Sequence, residues 1–245
     1  MSLAERLIAA RFGIKKDAVL NGGPPEASPG RPPDPEDLGG ILSKLRAEAA
    51  KDRVDGLDYG AVARSEAYAE YRRYAFDLRA FDPAELGSRQ KRLAFWINLY
   101  NGLVLDAVIQ WRVERTVREV AGFFRRAAYR MGGLRYSALD IENGILRGNA
   151  PHPALPGAPF GPADPRQAHS PDRVDPRVHF ALVCASRSCP PLAAYDALHV
   201  NGQLDQAARS FIRGGGVELD ASQGRIHLSR IFQWYAVDFG ARWQA

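Results

Sequence analysis

The chain has 245 residues (27.0 kDa), 46% of them hydrophobic and 25% charged, with a mean hydropathy of -0.30. A chain of this size can bury a self-sufficient core, and its composition excludes collagen-like, coiled-coil, disordered and disulfide-scaffold classes. The net charge of +5 sits in residues 112–135, where seven arginines face Glu114 and Glu119, a pattern that reads as the solvated face of a helix and a hairpin.

Residues 2–20 start helical and lose their pattern. The opening Met-Ser-Leu-Ala-Glu-Arg is broken by Glu5 and Arg6, so it lacks the apolar core of a signal peptide. With two cysteines and no leader, the expectation is a reducing cytoplasm with both cysteines as thiols; a trimmed exported form is the alternative. Six prolines in residues 24–35 make 21–37 a linker or surface wrap, with a single domain over 38–245. Leu38, Ile41, Leu42 and Leu45 form an amphipathic stripe, and Tyr68, Tyr71, Tyr74 and Leu78 a second. Pro83 opens a further helical stretch behind Asp82 as N-cap. Residues 90–111 form the most apolar helix, apolar nearly all round and therefore buried, although no run reaches the length of a bilayer span. Asn98 and Asn101 on it must find partners, either in neighbouring loop backbone or as lining of a site.

Ala128–Met131 and Leu134–Ser137 read as a hairpin around Gly132-Gly133, and Ser137 with Asp140 as a capping box for a helix over 138–147. Eight prolines make 151–176 irregular. Arg177–Val183 reads as a short apolar strand, Gln203–Ile212 as a helix, and Val217–Leu219 with Ile226–Leu228 as a second hairpin. Ser229 caps a last helix through Tyr235. The fold class is α+β, with a helical N-terminal half packed on a small antiparallel sheet.

Chemistry concentrates between His179 and Cys189. Cys184 ends the expected strand, and Arg187, Ser188 and Cys189 follow before two prolines. A thiol is a nucleophile only as thiolate, and nearby positive charge such as Arg187 lowers its pKa. In a regular strand His179 and Cys184 would face opposite ways. His179 would then serve Cys189, or the base would come from His152, His169, His199 or His227. Cys-x4-Cys is poor zinc spacing and not a Cys-x-x-Cys redox pair, so neither metal nor cofactor is expected. Glu142 and Arg147 lie on the helix after the first hairpin as further polar candidates.

Several phrases occur in order: Ala94-Phe-Trp-Ile-Asn-Leu-Tyr-Asn101, Asp140-Ile-Glu-Asn-Gly-Ile-Leu-Arg-Gly-Asn149, and Val178-His-Phe-Ala-Leu-Val-Cys-Ala-Ser-Arg-Ser-Cys-Pro-Pro191. They resemble the family called domain of unknown function 547, found in bacteria, plants and nematodes, over about residues 90–240. The resemblance implies a papain-like or transglutaminase-like grouping that uses cysteine, histidine and a polar orienting residue. It also implies that the helix bearing Asn98 and Asn101 takes the place of the nucleophile-bearing helix, and that many relatives carry histidine where this chain has Asn143. The expected function is cysteine-dependent acyl transfer or amide/thioester hydrolysis. Cys184 or Cys189 would be the nucleophile, His179 the base, and Asn98, Asn101, Glu142, Arg147, Arg187 and Ser188 the lining. A non-catalytic ligand- or protein-binding domain is the alternative. The partner would be a small molecule or peptide; no nucleic-acid motif is present.

Overall fold

The amphipathic stripes become helices that surround the most apolar one. The computed structural model describes residues 15, 18–23, 30–49, 58–154, 156–183 and 192–240. Helix α1 (Asp37–Ala49) buries Leu38, Ile41, Leu42 and Leu45. Ser65 ends α2 (Tyr59–Arg64) and caps α3 (Glu66–Asp77) by accepting from the Tyr68 amide at 3.1 Å. Helix α4 (Arg89–Gln110) starts at Ser88, whose hydroxyl accepts from the Lys91 amide, and every residue from Leu93 to Val108 is buried. By length and composition α4 could cross a bilayer, which corrects the expectation that no run reaches that length. Its most apolar stretch is 89% buried inside the protein, with α1 and α2 packed against it.

Asp106 is fully buried on α4 and accepts four hydrogen bonds: Tyr68 Oη at 2.6 Å, Arg72 Nη1 at 2.7 Å, Tyr129 Oη at 2.7 Å and Gln110 Nε2 at 2.8 Å. The network ties α3, α4 and the first hairpin together. Gly102 permits it, because a Cβ there would lie 2.5 Å from Tyr71 Oη, which itself bonds Tyr129 Oη at 3.0 Å.

After α5 (Phe123–Arg126), β1 (Ala128–Met131) and β2 (Leu134–Ser137) pair antiparallel with Tyr129 opposite Tyr136. The turn needs left-handed backbone at both central positions, and Gly132 (φ 51°) and Gly133 (φ 78°) supply it. Ser137 and Asp140 form the reciprocal cap: the Asp140 amide donates to Ser137 Oγ and the Ser137 amide to Asp140 Oδ2. The capped segment is a π-helix (Asp140–Leu146) that packs on α4. The N-terminal wrap binds β1 directly: the Leu20 amide donates to the Ala128 carbonyl, and the buried Asn21 side chain bonds Ala75 and both backbone groups of Arg130. Residues 18–23 are thus a surface wrap seated on the hairpin.

The expected strand at 177–183 does not form. Pro176–Phe180 is a 3-10 helix, capped by Asp175 with proline in its first turn. The same Asp-Pro start opens the 3-10 turns Pro83–Glu85 and Pro165–His169, where Asp82 and Asp164 accept from the amides of Ala84 and Arg166. Helix α6 (Val200–Phe211) leads through Ile212–Gly216 into β3 (Val217–Asp220) and β4 (Arg225–Leu228), a second two-stranded sheet separate from the first. Ser229 then caps α7 (Arg230–Trp234). The fold class is α+β, with two small antiparallel sheets in place of one.

Asp175 gives this region an acid dependence. Burial pushes its carboxyl up, but hydrogen bonds from Arg177 and Arg89 outweigh burial and hold the pKa at about 2. Because this lies below the ordinary value of 3.8, the stabilisation is complete above that pH and is lost as pH falls toward 2. The stability difference between wild type and Asp175→Asn, followed by denaturant unfolding, should therefore shrink steadily from pH 4 to pH 2. A constant difference would contradict the assignment.

Candidate functional site

The 3-10 helix at 176–180, the π-helix and the chain after α7 meet around one carboxylate. His179 Nε2 lies 2.8 Å from Asp238 Oδ2, and the side chains are 2% and 4% exposed. Arg147, one residue past the π-helix, donates to the same carboxylate through Nε and, at 3.2 Å, through Nη2. Its Nη1 donates to Asn143 Oδ1 at 2.6 Å and to the Pro151 carbonyl at 2.8 Å. The Tyr235 ring stacks on His179 with centroids 3.8 Å apart, and the Arg147 guanidinium lies 4.8 Å from the same ring. Tyr235 Oη donates to Glu142 Oε1 at 2.6 Å, and Tyr100 Oη from α4 donates to Oε2 at 3.3 Å.

The electrostatics are set by this geometry. Burial pushes the Asp238 carboxyl up, but hydrogen bonds from His179 and Arg147 outweigh burial and leave it below the usual carboxylate range. An ionised Asp238 makes Nε2 of His179 a donor, so in the neutral ring Nδ1 carries the lone pair. Nδ1 has no hydrogen-bond partner among the described residues. Burial, and then the Glu142 charge, raise the Tyr235 and Tyr100 hydroxyls above their ordinary value, so both remain donors at neutral pH. The Asp238 carboxylate thus sets the orientation of the His179 ring, with Nε2 toward the carboxylate.

Asn98 and Asn101 act beside this cluster as backbone clamps. The Asn101 amide donates to the Ala181 carbonyl at 3.0 Å and accepts from the Val183 amide at 2.9 Å. Asn98 does the same to a single residue, donating to the Tyr195 carbonyl at 2.7 Å and accepting from its amide at 2.9 Å. One stem precedes Cys184 and the other comes after Pro191, so two residues three apart on one buried helix hold both approaches to the cysteine-bearing run. Asn101→Leu and Asn98→Leu each strand a buried backbone donor and acceptor, at about 1–3 kcal/mol per unsatisfied group. Each should lower the unfolding free energy by at least about 2 kcal/mol in urea titration. A loss near zero would mean that water replaces the amide.

Of the residues expected from sequence, His179, Glu142 and Arg147 come together through Tyr235 and Asp238, and Asn98 and Asn101 hold the flanking stems. Cys184, Arg187, Ser188 and Cys189 lie outside the described residues. The expectation that a strand turns His179 away from Cys184 is corrected, because the backbone at His179 is a 3-10 helix. Among the other histidines, His152 is half-buried, and burial lowers its pKa, with Glu142 and Arg147 close enough to act on it. His169 packs beside Trp96 and Tyr136, His199 pairs with Asp196 on the surface, and His227 is exposed on β4. Sequence reading missed Asp238, Tyr235 and Tyr100 as site residues. Asp238 is 59 residues from His179, a separation that carries no local signal, although it falls inside the stretch of about residues 90–240 that the resemblance covers.

The fold and site define an α+β protein with a buried His–Asp–Arg cluster and two asparagine clamps, on the chain before Cys184 and after Pro191. The chain belongs to the family described as Protein of unknown function, DUF547, which matches residues 83–212. The match includes Asn98, Asn101, Glu142, Arg147 and His179 and ends before Tyr235 and Asp238. No curated protein and no solved structure matches the chain.

Proposed function

We propose that the protein is a cysteine-dependent enzyme of acyl transfer or amide/thioester hydrolysis, acting on a small molecule or peptide. The observation that carries the reading is the buried His179–Asp238 pair, which fixes Nδ1 as the basic nitrogen in the same short segment that continues into Cys184 and Cys189. In this reading Nδ1 takes the thiol proton of one of these cysteines. The thiolate sulfur attacks the acyl carbon, a carbon–sulfur bond forms, and the amine or thiol leaves with the proton returned by the imidazolium. Water, or a second acceptor, then attacks the thioester, gives its proton to the same nitrogen and releases the thiol. Asp238 orients the ring and stabilises its charged form, Arg147 pins Asp238, and Asn98 and Asn101 fix the stems. This chemistry requires reduced thiols, which fits a cytoplasmic setting.

Alkylation by iodoacetamide, followed by mass spectrometry between pH 5 and 9, tests the reading. One cysteine should react in the native protein well below pH 8, and His179→Gln should move that profile upward. If both thiols stay inert until unfolding, the second reading holds: a non-catalytic ligand- or protein-binding domain built around the same polar cluster. Its supporting observation is Asn143, which is locked between the Leu139 carbonyl and Arg147 at the position where the family resemblance implies histidine.

A further inference from the structure

Arg147 holds more than Asp238. Its Nη1 donates to the Pro151 carbonyl at 2.8 Å, so the chain that carries His152 is bound to the same guanidinium whose Nε and Nη2 face Asp238. That chain is also closed at its base by a further asparagine. Asn149, with left-handed backbone (φ 65°), donates to the Phe160 carbonyl at 3.0 Å and accepts from the Phe160 amide at 2.8 Å. The Phe160 ring lies against Gly144 of the π-helix, where any side chain would collide with it, and the Arg166 guanidinium sits 4.2 Å from its centroid. A proline-rich segment is thus tied down at Pro151 and at its base, which keeps His152 beside the Arg147 cluster.

His152 is fixed in one tautomer by a bond of its own. The Ala154 amide donates to Nδ1 at 3.1 Å. A backbone N–H can only donate, so Nδ1 carries the lone pair, the ring is neutral and the proton sits on Nε2. Nε2 has no hydrogen-bond partner among the described residues. Burial lowers the pKa of this half-buried ring; the Glu142 charge opposes that, while Arg125 and Arg147 add to it. His179 is the complement, with Nε2 turned to Asp238 and the lone pair of the neutral ring on Nδ1. One histidine offers a free acceptor and the other a free donor, and both are held through the guanidinium of Arg147.

We propose that His152 binds the carbonyl oxygen of an acyl substrate, donating Nε2–H to that oxygen while His179 Nδ1 serves the thiol. The role rests on the cysteine-dependent reading above and adds to it the group that meets the charge formed on oxygen. As the thiolate sulfur bonds to the acyl carbon, the C=O π pair moves onto oxygen and the hydrogen bond from Nε2 strengthens. The proton stays on Nε2, and the pair returns to the C=O bond as the amine or thiol leaves. A neutral imidazole suits this task, because its N–H polarises a carbonyl without giving up the proton.

Two reagents separate this role from thiol reactivity in the full chain. Iodoacetamide is attacked at a saturated carbon and forms no oxyanion, whereas p-nitrophenyl acetate is attacked at its carbonyl. His152→Phe should leave the alkylation profile of the reactive cysteine unchanged and slow its acetylation on the order of a hundredfold, the loss that follows removal of one oxyanion donor. His152→Gln, which keeps a side-chain N–H, should recover part of that rate. Nitrogen NMR of the histidine-labelled, unsubstituted protein is the second measurement, with the His152 proton expected on Nε2 at pH 7. The proposal is overturned if His152→Phe slows both reagents alike or neither, or if His152→Gln is as slow as His152→Phe. A proton found on Nδ1 overturns it too, as does a cysteine that iodoacetamide alkylates but p-nitrophenyl acetate does not acetylate. A protein inert to both reagents removes the cysteine-dependent reading itself, and the role of His152 with it.

Discussion

Asp238→Ala should lower the unfolding free energy by about 3–5 kcal/mol, the cost of breaking a buried ion pair by removing one partner. The figure applies because Arg147 is 4% exposed and cannot turn to water. Its Nη1 would keep Asn143 and the Pro151 carbonyl, but Nε and Nη2 would face a cavity, and His179 Nε2 would lose its acceptor. Asp238→Asn keeps the volume and one acceptor oxygen while losing the charge, so its loss should be smaller. Guanidinium unfolding followed by far-ultraviolet circular dichroism measures both, and the near-ultraviolet signal of Tyr235, stacked on His179, should change with them. A loss below about 1 kcal/mol for alanine would show that water reaches the cluster, since exposed pairs are worth no more than that.

The second large effect is expected at Asp106. Alanine there leaves Tyr68 Oη without its acceptor, leaves the Tyr129–Tyr71 hydroxyl pair with one proton too many for its acceptors, and releases Arg72 and Gln110. Arg72 is 27% exposed and can recruit water, so the cost falls mainly on the two tyrosines. At about 1–3 kcal/mol per stranded group, Asp106→Ala should cost about 3–5 kcal/mol. Asp106→Asn should cost less, because its amide oxygen can keep the three donors that meet Oδ2, while its NH2 would face Tyr68 Oη alone. Tyr129→Phe removes one donor from a shared acceptor and should cost least. If Asp106→Ala and Tyr129→Phe cost the same, the carboxylate is not the hub of the network.

How much of the fold and site is legible in the sequence depends on how local the signal is. Gly132-Gly133 between two short apolar runs announces its hairpin, and Ser137 with Asp140 three residues later announces its cap; both involve neighbours in sequence. Arg177–Val183 marks the limit of such local signals. Its apolar run suggests a strand, but Asp175-Pro176 in front is the same N-cap and first-turn proline that opens the turn at Pro83, and that pair points to a helix. The cap, not the apolar run, decides the backbone. The carboxylate that orients His179 lies 59 residues away and the one that gathers Tyr68 lies 38 away, and no periodicity links residues at such separations. Buried asparagines on an apolar helix are a sound sign that partners exist; which partners they find depends on the tertiary fold.

The two asparagine clamps also bear on how such a protein could change. Ala181, Val183 and Tyr195 are fixed to α4, so both ends of the chain between Val183 and Tyr195 are tied to the core. The entropic cost of lengthening a chain held at both ends grows only logarithmically, about 0.6 kcal/mol for each doubling of length. Insertions between the stems would therefore tax the core little, while a change to either asparagine would be felt at once. The two asparagines thus act as an anchor whose loss is felt in the core, whereas the length of chain between the stems is only weakly coupled to core stability.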